Sequence, residues 1–400
     1  MRLLSLLLTL GLCAAAGPAA GQTPPAPTTE DCLACHEDAS ATRADGTSVA
    51  VAANVFADSI HGGLACVDCH QDLAAQTEWP HPEKLGKVNC ATCHEEPVAK
   101  YGDSVHAKAR REHPESKAAT CVDCHGMHDI KPSAEPTSRT YHLNLPETCG
   151  RCHADVKVMP AELRQTTGIV AQFQDSTHGK ALMKSGLTVA PDCVDCHNSH
   201  DIKPPSEPAS TVHRQNVPGT CGKCHEGIRT QFAKSIHGTR LAAGSVEAPA
   251  CADCHTAHGV TRAENPTWRL QVVEECGLCH VDKLQTYRDT FHGQVTALGF
   301  ERVAKCSDCH GAHDIHPMRD PASRVASANL VKTCSKCHEN ANDNFVKYDP
   351  HADKHDRERN PTLYYSARFM GLLLAGTFTF FGVHTGLWFM RALKARKEGR

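Results

Sequence analysis

The sequence predicts a mainly α chain with much coil, elongated, built from repeated units and closed by one C-terminal transmembrane helix. Three observations carry that expectation. Aromatic residues make up 5% of the 400 positions, too few to fill the cores of a soluble protein of this length. Cysteine occurs 23 times and histidine 28 times, at recurring spacings. An uncharged apolar stretch, 369–390, stands near the C-terminus. The charge balance, 42 basic against 45 acidic residues, disfavours nucleic-acid binding by bulk charge. So many cysteines also argue against a reducing cytosol.

Residues 1–21 read as a secretory signal peptide: Arg2, an apolar run over 3–12, then small residues, with cleavage between Ala16 and Gln22. The run is too short to span a bilayer. An exported domain follows over 22–347, then a polar juxtamembrane linker over 348–365. A transmembrane helix is expected over 366–391. Its uncharged part, 22 residues long, covers roughly 33 Å at about 1.5 Å per residue, against about 30 Å of hydrocarbon. The tail, 392–400, is cytoplasmic by the positive-inside rule, because Arg391, Lys394, Arg396, Lys397 and Arg400 crowd that end. The exported domain then lies on the periplasmic side of an inner membrane.

Every cysteine of the expected mature chain belongs to a Cys-x-x-Cys-His unit, leaving only Cys13 in the signal segment. The units are Cys32, Cys35 and His36; Cys66, Cys69 and His70; Cys90, Cys93 and His94; and Cys121, Cys124 and His125. Next come Cys149, Cys152 and His153; Cys193, Cys196 and His197; Cys221, Cys224 and His225; and Cys251, Cys254 and His255. The last are Cys276, Cys279 and His280; Cys306, Cys309 and His310; and Cys334, Cys337 and His338. This is the attachment signature of c-type haem. Two thiols add across the porphyrin vinyl groups, and the adjacent histidine becomes the proximal iron ligand. Disulfides would not demand a histidine after every pair. Structural zinc would use the units two at a time and leave one over. Eleven covalent haems are expected.

On these motifs, over 32–338, the chain resembles the multihaem cytochromes c, the cytochrome c3-like and NapC/NrfH-like proteins that string haems on short peptides. It departs from them in having eleven units where small members carry about four. Its anchor is C-terminal, whereas the NapC/NrfH group is anchored by an N-terminal helix. Carry-over therefore stops at the attachment residues.

The units form five pairs after a lone unit at Cys32. Residues 121–153 and 193–225 are nearly the same text, 306–338 keeps their length, 251–280 is shorter, and 66–94 is degenerate, with Leu73 where a histidine stands elsewhere. Repetition of this kind implies stacking of neighbours. Two recurring positions offer second iron ligands. Ser/Thr-x-His gives His61, His106, His178, His237 and His292; a second histidine after the motif, CHxxH, gives His128, His200, His258 and His313. His142 and His213, one residue apart in the aligned repeats, are further candidates. Methionine is scarce and does not recur, so bis-histidine haems of low potential are expected.

This pattern implies an electron-transfer subunit in anaerobic respiration, linking the quinone pool to periplasmic carriers or reductases, rather than a stand-alone enzyme. A periplasmic reductase of a small nitrogen or sulfur oxyanion is the alternative, although the lysine that replaces the motif histidine in nitrite-reducing relatives is missing here. No catalytic residue is assigned. His384, inside the membrane segment and flanked by Gly382 and Gly386, implies a neighbouring membrane subunit of cytochrome b-like or quinone-interacting type. Its role there is open between a b-haem ligand, a quinone contact and a helix–helix hydrogen bond.

Overall fold

A computed structural model describes residues 26–399. The signal-peptide reading of 1–21 lies outside the described residues. Two compact units are found, Met1–Gly102 with Ala119–Tyr141, and Asp103–Ala118 with His142–Arg400. Among the described residues there are short helices, much coil and no strand, only an isolated bridge between Thr42 and Ser48. The fold is mainly α, as the sequence predicts.

The motifs set the local structure. Residues i, i+3 and i+4 share a helix face, so one turn points both thiols and the imidazole of CxxCH the same way. In the first unit of each pair that turn is a helix of its own: Cys66–Cys69, Cys121–His125, Cys193–His197, Cys251–His255 and Cys306–His310. Each reads Cys-x-Asp-Cys-His. The Asp carboxylate reaches back to the amide just before the first cysteine, at 2.8 Å from Asp68 to Ala65, 2.7 Å from Asp123 to Thr120 and 2.7 Å from Asp253 to Ala250. The same bond measures 2.8 Å from Asp195 to Asp192 and 2.9 Å from Asp308 to Lys305. An acid there closes an orphan amide and suits the positive end of the turn.

His106, His178, His237 and His292 sit in the first turn of a second kind of short helix, and His61 lies in a turn. Five copies of aromatic-x-x-Ser/Thr-x-His begin at Phe56, Tyr101, Phe173, Phe232 and Tyr287. The hydroxyl caps the helix: Ser176, Ser235 and Thr290 accept from the amides of Gly179, Gly238 and Gly293 at 3.0–3.1 Å, and Ser104 from Ala107 at 3.2 Å. The glycine after the histidine has a steric reason. A Cβ on Gly238 would overlap the carbonyl oxygen of Phe232 in the preceding helix. Where the helices part slightly, Ala107 takes this place.

One backbone hydrogen bond then ties four of these five segments to a distant motif. The amide before the histidine donates to the residue two beyond the CHxxH histidine: Ile60 to Ile130, Val105 to Ile202, Thr177 to Val260 and Ile236 to Ile315, each 2.8 Å. These bonds span roughly 70 to 100 residues of chain and recur with the repeat.

Apolar packing is thin. The single cluster of buried side chains joins Leu241, Ala248 and Ala250, with Val217 and Phe232 against it. The C-terminal helix, Pro361–Lys397, has 37 residues, about 55 Å at 1.5 Å per residue, and is the one described helix long and apolar enough to cross a membrane. It starts before and ends beyond the expected 366–391, because hydropathy marks only the part that suits lipid. Pro361 fits the first turn, and Lys394, Arg396 and Lys397 fit the negative C-terminal end. Helix therefore takes up the last residues of the expected 348–365 linker.

The Gly238 contact makes a direct prediction. Gly238→Ala should destabilise the folded protein by about 2 kcal/mol or more, read as a lower Tm, whereas Gly227→Ala, which meets nothing within 4 Å, should leave the Tm unchanged.

Candidate haem sites

Proximal histidines stand opposite second imidazoles, ring against ring. His61 faces His94 with centroids 6.0 Å apart, His106 faces His153 at 6.1 Å, and His178 faces His225 at 6.1 Å. His237 and His280 are 6.2 Å apart, and His292 and His338 6.1 Å. All five Ser/Thr-x-His histidines thus meet the second motif of their own pair. The CHxxH histidines meet the first motif of the pair before: His128 with His70 at 6.3 Å, His258 with His197 at 6.1 Å and His313 with His255 at 5.9 Å. Two histidines from outside both patterns complete the series, His81 opposite His36 at 5.9 Å and His351 opposite His310 at 6.2 Å.

These separations test the fit of a haem. An imidazole nitrogen binds a first-row metal at about 2.0–2.1 Å, and its ring centre lies about 1.1 Å behind it, so two imidazoles on one iron have centres about 6.2 Å apart. The observed spacing, 5.9–6.3 Å, matches this distance and is too long for direct stacking contact. The residues fit the group. Burial also holds His70, His128, His153, His178, His197 and His237 below the ordinary histidine range. His255, His258, His292, His310, His313 and His351 are lowered by the same cause. A neutral imidazole is the form that ligates metal.

The other sequence candidates are placed differently. His142 is committed elsewhere: Nδ1 lies 2.8 Å from Asp192 Oδ2 and Nε2 2.8 Å from the Ala190 carbonyl oxygen. His213 keeps a buried Nδ1 with no hydrogen-bond partner. Neither is among the ring pairs given above. His125 closes its motif helix, and His200 Nδ1 lies 3.4 Å from Ser199 Oγ. His384 is on the exposed membrane helix. His81 and His351, spare histidines in the sequence, belong to no repeated pattern. The one signal for them was that a linear array of repeats has two ends.

The attachment thiols stand side by side in chain order. The thiols of Cys32 and Cys66, Cys90 and Cys121, Cys149 and Cys193, Cys221 and Cys251, and Cys276 and Cys306 are near enough to influence one another. Burial pushes the thiols of Cys196 and Cys254 up to about 11, with Cys221 and Cys276 close by. Successive motifs within each unit thereby bring their attachment points together. Trp268 lies parallel to His255 with ring centres 5.2 Å apart, and Phe345 lies 4.8 Å from His338, so aromatic side chains flank some of these imidazoles.

The family model described as the doubled CXXCH motif matches residues 187–230, one of the haem-pair repeats and its flanks. No solved structure matches the chain.

The depressed histidines fix the sign of a pH effect. Protons compete with iron for these imidazoles only below the ordinary value of 6.5, so the ferric absorption spectrum should be constant from pH 8 to that value. Below it, high-spin bands should grow as second ligands are protonated. Growth already above pH 7 would contradict the burial argument.

Proposed function

We propose that this multihaem c-type cytochrome is a membrane-anchored periplasmic protein that carries electrons between the quinone pool and periplasmic redox partners. The doubled CXXCH motif supports covalent haem and electron transfer. The observation that carries the finer reading is the recurring gap of about 6 Å between imidazoles. When bound, the haems supply one-electron iron chemistry at low potential.

The chain's residues hold and orient that group. Each CxxCH turn gives two thiols for attachment and a proximal imidazole. The second ligands are His61, His106, His178, His237 and His292 for the second motif of each pair, and His128, His258 and His313 for the first. His200 takes the same role by its CHxxH position. His81 and His351 serve the two ends of the array. With a second imidazole at each iron, substrate has no open position, which favours a carrier over a reductase. Eleven haems follow from eleven motifs.

The 37-residue helix supports a single-pass anchor. Arg357 and Arg368 lie over the rings of Tyr365 and Tyr364, at 5.6 and 5.2 Å, which suits a headgroup level at the start of the helix. A cytochrome b-like or quinone-interacting subunit would pack on the helix beside His384, with the periplasmic carriers or reductases meeting the haem domain.

Pyridine haemochrome analysis should give eleven haems per chain. His81→Ala and His351→Ala should each convert about one haem per chain to high spin, while His213→Gln should convert none. High-spin haem in His213→Gln, or its absence in both other variants, would reverse the assignment of the array's ends.

A further inference from the structure

Outside the haem sites, one cluster has a charge balance that its own repeat exposes. His142, Asp192 and Asp195 bring a ring nitrogen and two carboxylates within 4.8 Å of one another. Asp192 is 2% exposed. Its Oδ1 accepts from the amides of Val194 and Asp195 at 2.7 and 3.2 Å, while Oδ2 is buried with no hydrogen-bond partner. That Oδ2 lies 2.8 Å from His142 Nδ1. Across the ring, His142 Nε2 is 2.8 Å from the Ala190 carbonyl oxygen, which requires Nε2 to carry a proton. In a neutral imidazole, Nδ1 then presents a lone pair to a carboxylate oxygen, and two acceptors this close need a cation between them.

The next repeat shows what the position does. Arg214 occupies the place of His142, twenty-one residues after the first cysteine of its repeat. Its guanidinium donates to Asp253 at 3.1–3.2 Å and to the Ala248 carbonyl at 2.7 Å. Asp253 and Ala248 are the counterparts of Asp195 and Ala190, and Ala250 is the counterpart of Asp192. One repeat therefore balances Arg against one carboxylate. The other replaces Arg by His and adds a buried carboxylate, so two carboxylates stand around a single imidazole. Burying an uncompensated carboxylate is costly.

We propose that His142 Nδ1, Asp192 Oδ2 and a carboxylate oxygen of Asp195 bind one divalent first-row metal ion, of Zn²⁺ or Mn²⁺ type, with water completing the shell. A charge of +2 restores the neutrality that Arg214 and Asp253 have. Donors at right angles, each about 2.1 Å from one ion, lie about 3.0 Å apart, close to the separation found. The Nε2–H to backbone carbonyl bond is the usual outer contact that orients a metal-bound histidine. The ion would clasp the loop before Cys193 to the end of the preceding repeat, as the guanidinium does one repeat later.

The test uses the purified holoprotein, freed of loose metal by chelator, incubated with Zn²⁺ or Mn²⁺, desalted and analysed by plasma mass spectrometry. About one non-haem ion per chain is expected beside unchanged haem iron. The paired variant His142→Arg with Asp192→Ala copies the Arg214 arrangement, so it should fold with the same haem iron and retain under about 0.1 ion. Metal-free wild type after loading, or equal retention by the paired variant, would overturn the proposal. The first result would mean that a protonated His142 alone balances Asp192.

Discussion

The fold depends on one spacing, the 5.9–6.3 Å between imidazole rings that are distant in sequence. Such pairs hold together poorly by themselves. Among the described residues, the buried apolar cluster around Leu241 is small. An iron-centred group that binds both rings, with a large apolar ring system around the iron, supplies both the cross-link and the missing core. Aromatic side chains are scarce because their volume is provided by another group. Metal binding and folding are then one equilibrium.

The order of the ring pairs follows from the repeat. Each Ser/Thr-x-His helix closes on the second motif of its own pair, and each CHxxH histidine reaches back to the pair before. The backbone bonds from Thr177 to Val260 and from Ile236 to Ile315 fasten these two positions to each other. Neighbouring haem sites thus share a strut, and a shift in one ligand helix is felt at the next. Leu73, at the CHxxH position of the first pair, is buried. His310, in the last pair, faces His351, with ring centroids 6.2 Å apart.

Much of this was legible in the sequence. CxxCH names its own chemistry, the pairs repeat openly, and the apolar helix is plain from composition. The Ser/Thr-x-His and CHxxH positions were visible because they recur. Which motif each histidine meets was hidden, because that depends on contacts across roughly 30 to 60 residues of coil. His81 and His351 could not stand out, since they belong to no repeated pattern. His142 and His213 fall one residue apart in the aligned repeats, and the residue in register with His142 is Arg214, whose guanidinium clasps Asp253 at 3.1 Å.

The most direct measurement is a cryo-electron-microscopy map of the haem-loaded protein, purified from membranes and resolved well enough to trace side chains. The account predicts a porphyrin between the rings of every pair named above, with His81 and His351 on the terminal irons. Irons ligated by His142 or His213 would contradict it. So would porphyrins lying beside these imidazole pairs instead of between them.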